Sequence, residues 1–177
     1  MNFRPLLIII GLLGSNLAIG HARLKLGSSA PPRNESTGLK TEPCGVARTA
    51  NSKTYKPGEE ITVQWQETIN HPGYFTIKFS KANDTGFDEY VLAAKIIDTD
   101  NRDILTPAQY HEYSAPVKLP NITCDACTLQ LVQVMEEDIK NPRYYYSCSD
   151  IRLSDTPGTT PAPGTTPTTT SPGSTPT

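Results

Sequence analysis

The strongest constraint on the fold is a series of short segments in which every second residue is apolar. Apolar and polar residues alternate in 61–65 and 75–79, which is typical of strands with one buried face. Turn residues separate the segments, and none of them has helical periodicity. The sequence therefore predicts an all-β, immunoglobulin-like or fibronectin-like β-sandwich, with residues 27–58 as a long N-terminal loop. Further short apolar runs occupy 22–26, 91–97, 115–119, 129–135 and 144–153.

The first 20 residues have the features of a secretory signal peptide. Arg4 precedes an apolar stretch at 6–13, and the small residues Ala18 and Gly20 suit a signal-peptidase cleavage site. We therefore predict that residues 1–20 are removed and that His21 becomes the first residue of the mature chain. The same feature predicts a secreted or otherwise extracytoplasmic protein, in a periplasm or at a cell surface.

The C-terminal residues 155–177 consist almost entirely of Thr, Pro, Gly, Ser and Ala. This composition cannot pack a hydrophobic core, so it predicts a disordered linker or tail. Residues 21–154 remain as one β-sandwich domain, long enough for a single core. The formal net charge of −2 argues against a nucleic-acid partner, and we expect a monomer.

Four cysteines, Cys44, Cys124, Cys127 and Cys148, are an even number in a chain that we expect to be exported. Export favours disulfides, and four cysteines allow three pairings. The spacing of Cys124 and Cys127 would also suit a zinc site or redox catalysis, which remain alternatives. We favour a bridge between Cys124 and Cys127 and a long-range bridge between Cys44 and Cys148.

Cleavage before His21 would create a metal-binding residue. An N-terminal His offers its α-amine and its ring Nδ1 to the same ion, and a second imidazole would complete a three-nitrogen site that suits copper. His71 is the candidate, because it lies in a turn between two predicted strands; the alternative is a solvated turn residue. His111 is expected to be an exposed loop residue, and the acidic run 136–138 a solvated surface.

The order of these features resembles the lytic polysaccharide monooxygenases, especially bacterial chitin-binding type-4 domains. The likeness consists of an N-terminal His21, a strand, a Gly/Pro-rich loop and the segment Thr68-Ile69-Asn70-His71 before an aromatic strand. The segment 145–151 also resembles the closing strand of that family, in which an aromatic residue packs at the axial position of the copper. This resemblance implies His21 and His71 as copper ligands in a histidine brace and Tyr145 as the axial residue.

The family also carries an acidic or Gln residue near the copper. Gln133 is our candidate for a catalytic role beside Tyr145, and Glu136 is the alternative. The resemblance implies a copper-dependent monooxygenase that oxidatively cleaves a polysaccharide such as chitin or cellulose and takes electrons from an external donor. The alternative is a non-catalytic exported protein that binds or acquires copper with the same brace.

Overall fold

The computed structural model describes residues 21–36 and 38–156. The predicted signal peptide and nearly all of the predicted tail lie outside them. Two short 3-10 helices accompany the strands, Phe87–Glu89 and Pro107–Gln109. Within the described residues no helix is long or apolar enough to span a bilayer. The eight strands are β1 (Ala22–Leu24), β2 (Lys53–Tyr55), β3 (Glu60–Glu67), β4 (Gly73–Ser80), β5 (Val91–Ile97), β6 (His111–Lys118), β7 (Cys124–Met135) and β8 (Arg143–Leu153).

The strands form two sheets, and the predicted immunoglobulin-like β-sandwich is confirmed. One sheet has three strands in the order β1-β3-β6, and the other has five in the order β2-β8-β7-β4-β5. Neighbouring strands are antiparallel except β2, which runs parallel to β8. β2 lies inside the predicted loop 27–58, so that prediction was too long. The sequence Lys53-Thr54-Tyr55 has no apolar alternation, and pairing with β8 makes it a strand.

The core lies between the sheets and is filled by the inward residues of the predicted alternating runs. In β3 the residues Ile61, Val63, Trp65 and Glu67 all point inward, and each is buried. Trp65 packs against Phe75 of β4, with ring centroids 5.4 Å apart. A carboxyl group therefore continues an otherwise apolar buried face at the end of β3, and acids are almost never buried in this way without a partner.

Disulfides join Cys44 to Cys148 and Cys124 to Cys127, the pairing that the sequence favours. No free cysteine remains, so these residues offer neither zinc ligands nor a reactive thiol. The first bridge connects the long N-terminal loop to β8 across 104 residues of sequence. The second closes a short irregularity at the start of β7. The loop after β1 is therefore covalently held against the five-stranded sheet.

A buried arginine holds the same loop from within. The guanidinium of Arg33 lies 2.8 Å from the carboxylate of Asp150 and 2.6 Å from that of Asp84. The side chains of Arg33 and Asp150 are both 1% exposed. Buried ions are tolerated only when they are paired and hydrogen-bonded. Arg33 satisfies this condition, because it also donates to the hydroxyl of Thr128.

Candidate metal centre

The structure brings His21, His71 and Tyr145 together at one end of the sandwich. The rings of His21 and His71 are stacked, with centroids 4.7 Å apart and 18° between their planes. The ring of Tyr145 also stacks on that of His21, with 3.8 Å between the two ring centroids. The Nζ of Lys40 lies 5.3 Å from the centroid of the Tyr145 ring. Three residues that lie far apart in sequence thus form one aromatic cluster.

Strand pairing fixes the position of His21. It directly precedes β1, and Ala22 pairs with Glu67 of β3. The carbonyl of His21 accepts a hydrogen bond from the backbone N–H of Thr68 (2.8 Å). The backbone N–H of Leu24 donates to the hydroxyl of Ser147 in β8 (3.0 Å), which ties β1 to the strand that carries Tyr145. His21 is therefore held over Tyr145 from both sheets.

His71 lies in the turn between β3 and β4, and Gly73 sets how closely this turn approaches β7. A Cβ atom at Gly73 would lie 2.0 Å from the carbonyl oxygen of Val134, and this distance is too short for any side chain to be accommodated without a shift of the backbone. The backbone N–H of Glu136 closes the same contact by donating to the carbonyl of Pro72 (2.8 Å). The lack of a side chain at Gly73 thus lets the turn place His71 at the end of β7.

The nitrogens that a histidine brace needs are the ones left without partners. Nδ1 of His21 and Nε2 of His71 are both buried and have no hydrogen-bond partner. Nδ1 of His71 contacts Oε1 of Glu137, which leaves Nε2 as the ring atom open to a metal. Burial lowers the pKa of His21 from 6.5 to about 4, and repulsion by His71 and Lys40 adds to the effect. His21 is therefore neutral and able to ligate at neutral pH.

This donor set fits copper. Nδ1 of His21 and Nε2 of His71 belong to two stacked imidazoles, and the α-amine of His21 would be the third nitrogen once residues 1–20 are removed. Orphaned buried polar atoms are costly unless something binds them, so the free Nδ1 and Nε2 atoms themselves point to a ligand. Neither nitrogen finds a hydrogen-bond partner among the described residues.

Gln133 lies beside this cluster, whereas Glu136 does not share its position. Gln133 faces Tyr145 across β7 and β8 and is 2% exposed. Its Nε2 donates to Oε1 of Glu67 (2.9 Å), and its own Oε1 has no partner. Glu136 follows β7 and bonds through its backbone N–H. Of the two candidates from this strand, only Gln133 points its side chain into the interior at this end.

Glu67 connects the cluster to a buried polar network that the sequence analysis did not anticipate. Its Oε1 also accepts the backbone N–H of His71 (3.4 Å), and its Oε2 lies 2.8 Å from Nδ1 of His111. Burial raises the pKa of Glu67 well above its usual range, and the neighbouring carboxyl of Asp98 adds to the rise. The phenol of Tyr113 in turn donates to Asp98.

The expectation that His111 is an exposed loop residue was wrong. His111 is fully buried and begins β6, where it pairs with Glu67 of β3. The acidic run 136–138 is likewise not only a solvated surface, because Glu137 contacts His71. The alternation of β3 could have revealed Glu67, since it continues the buried positions 61, 63 and 65. No local sequence signal marks Asp98 or Glu137.

A protein-family model described as lytic polysaccharide mono-oxygenase, cellulose-degrading, matches residues 22–151 of this chain. No curated protein matches the sequence at a significant level. The family match covers all eight strands except the last two residues of β8, and it includes His71 and Tyr145.

Several solved structures are similar at low sequence identity. A lytic polysaccharide monooxygenase AA15 from Thermobia domestica, in the Cu(I) state, has 20% identity and a TM-score of 0.42, over 57% of this chain and 62% of that one. A cellulose-active polysaccharide monooxygenase from M. thermophila has 15% identity and a TM-score of 0.42, over 63% and 58%. An AA10 lytic polysaccharide monooxygenase from Streptomyces lividans has 16% identity and a TM-score of 0.39, over 76% and 83%. The chain therefore spans less than two thirds of the first of these relatives.

Proposed function

The chain belongs to the lytic polysaccharide mono-oxygenase family, and from this premise we propose that it is a secreted copper protein that oxidatively cleaves a polysaccharide such as chitin or cellulose. The observation that carries the proposal is the pair of unpartnered nitrogens, Nδ1 of His21 and Nε2 of His71, on two stacked imidazoles. The family match supports the polysaccharide, and the nitrogen donor set supports the metal.

His21 and His71 would hold the copper, through Nδ1 and the α-amine of the first and Nε2 of the second. Copper bound there supplies the redox chemistry, with O2 or H2O2 and an external electron donor, for oxidising a sugar C–H bond. Tyr145 stacks on His21 at 3.8 Å and is 3% exposed, so it excludes water from one side of the site. Glu137 holds the proton on Nδ1 of His71 and thereby keeps Nε2 free.

Gln133 has a separate role in the proposal. Its Nε2 is committed to Glu67, whereas its Oε1 is buried and unpartnered beside Tyr145. This oxygen would accept a hydrogen bond from a water molecule or a hydroxyl at the site, and Glu67 keeps the amide in the orientation that presents it. Gln133 and Tyr145 are thus the proposed catalytic residues, acting by hydrogen bonding and by exclusion of water.

The first experiment compares the mature protein, beginning at His21, with a form that carries one additional Gly before it. The extra residue converts the α-amine into an amide, which is a poor ligand at neutral pH. We expect copper affinity to fall by more than about 100-fold, since losing even an outer-sphere partner costs 10–100-fold. His71→Ala should lose a comparable amount. Equal affinity and identical electron paramagnetic resonance spectra for the mature and extended forms would refute the brace.

A second experiment separates an enzyme from a carrier. The copper-loaded mature protein is incubated with chitin or cellulose and a reductant, and the soluble products are analysed by mass spectrometry. Oxidised oligosaccharides that disappear in the His71→Ala variant would support the monooxygenase. Tight copper binding with no oxidised product from either glycan would instead support a non-catalytic copper-binding or copper-acquisition protein.

A further inference from the structure

We propose that Glu67, Asp98 and His111 form a second cation site, separate from the histidine brace, that binds Zn²⁺. Each of the three residues offers one donor atom, and these atoms lie within 4.8 Å of one another. No residue of this group is a proposed copper ligand. The inference therefore does not depend on the proposed function.

Secondary structure fixes all three donors. Glu67 and His111 are direct cross-strand partners at the ends of β3 and β6, so their side chains leave the same face of the sheet. Asp98 follows β5 directly, and its backbone N–H donates to the carbonyl of Gly73 (3.1 Å). The site is thus organised by three strand ends before any ion arrives, which lowers the cost of binding one.

The charges of the cluster leave room for a cation. Asp100 is paired with Arg102, whose Nε lies 2.8 Å from its carboxylate. Among the described residues, no Lys or Arg pairs with Glu67 or Asp98, and the only basic group facing Glu67 is the imidazole of His111. A divalent ion held between the donor atoms of Glu67, Asp98 and His111 would supply the positive charge that this buried group lacks.

An unpartnered atom of the same cluster also points to a ligand. Oδ2 of Asp98 is buried and makes no hydrogen bond, so one donor of the cluster is open to an ion. His111 is completely buried and turns Nδ1 towards Glu67, whereas Nε2, on the other side of the ring, lies 3.3 Å from Oδ1 of Asp100. Asp98 is only half-buried and lies at the start of the segment between β5 and β6, which gives an ion a route from solvent.

The donor set selects the ion. One imidazole with two carboxylates suits zinc, which takes nitrogen and oxygen ligands at roughly 2.0–2.2 Å and keeps an open position for water. Two ligands of one tetrahedral zinc lie about 3.3–3.6 Å apart on those bond lengths. Nδ1 of His111 and Oε2 of Glu67 are already 2.8 Å apart, so binding requires only a small opening of that pair.

The test uses the mature chain with its brace first filled by copper, because copper outcompetes zinc at nitrogen-rich sites. The protein is equilibrated against Zn²⁺ by dialysis, and both metals are quantified by inductively coupled plasma mass spectrometry. We expect one zinc per chain in addition to the copper. Asp98→Asn and His111→Gln should weaken zinc binding by more than about 100-fold and retain copper. Asp103→Asn, an exposed acid in the same segment, is the matched control.

His71→Ala separates this site from the brace, since it should lose copper and keep zinc. A measurement without any variant guards against misfolding: zinc should raise the melting temperature of the copper-loaded wild type, because it binds the folded chain. Zinc uptake by the copper-loaded wild type that is no greater than that of Asp98→Asn would overturn the proposal. Zinc that binds only when the brace is empty would overturn it as well.

Discussion

Replacing Glu137 with Ala should weaken copper binding without touching a ligand. Glu137 contacts Nδ1 of His71, and Nε2 of the same ring is the nitrogen left open. A carboxylate on one imidazole nitrogen keeps the proton there and makes the other nitrogen a better ligand. Without Glu137 the ring of His71 can rotate and exchange tautomers, so part of the population no longer presents Nε2.

The structure places the expected loss at the lower end of the usual range. Removal of an outer-sphere partner typically costs 10–100-fold in metal affinity, which is about 1.4–2.8 kcal/mol. The side chains of Glu137 and His71 are 41% and 21% exposed, so solvent screens their interaction. We therefore expect a loss of about 10-fold for Glu137→Ala. Glu137→Gln should lose less, because its amide oxygen can still accept the proton of Nδ1.

The assay is a calorimetric titration of Cu²⁺ into the mature protein in the presence of a competing chelator. Glu136→Ala is the matched control, since it removes a neighbouring acid and keeps the backbone bond to Pro72. The spectrum of the bound Cu²⁺ should remain that of a three-nitrogen site in every variant. Copper affinity of Glu137→Ala within about twofold of the Glu136→Ala value would show that Glu137 does not orient His71, and the reasoning would be refuted.

Three further predictions concern stability. Gly73→Ala should lower the free energy of unfolding by roughly 1–3 kcal/mol and weaken copper binding, because the new Cβ would lie 2.0 Å from the carbonyl of Val134; a urea midpoint and copper affinity equal to wild type would contradict this. Cys44→Ala with Cys148→Ala should cost about 2–5 kcal/mol in denaturant unfolding, and a loss under about 1 kcal/mol would mean that the loop is held without the bridge. Burial opposes ionisation of Asp84, but hydrogen bonds from Arg33 and Thr128 outweigh it and hold its pKa below the usual range. The stabilisation by ionised Asp84 is therefore complete above about pH 4 and is lost as the pH falls through the folded-state pKa. The difference in unfolding free energy between wild type and Asp84→Asn should shrink below about pH 4, and a difference that stays constant would exclude this linkage.

The sequence alone determined the layers of the fold. Alternating apolar residues place Ile61, Val63 and Trp65 on one face of β3 whatever their neighbours are, because successive side chains of a strand point to opposite faces. The turn His71-Pro72-Gly73 is also local, since Pro and Gly restrict the backbone by themselves. These features predicted the sandwich and the position of His71 at its rim. They did not predict β2, whose three residues become a strand only through pairing with β8.

The tertiary structure decided which polar groups meet. Alternation puts Glu67 on the buried face, but only the pairing of β3 with β6 brings it to His111, 44 residues away in sequence. Asp98 reaches the same point from the other sheet. The cost of burying a carboxylate depends on these neighbours, so sequence cannot tell whether Glu67 is paired, protonated or bound to a cation. For the same reason the sequence identified His21 and His71 as candidates, whereas their stacking, and the two nitrogens left open, came from the packing of β1 and the β3–β4 turn against β8 and β7.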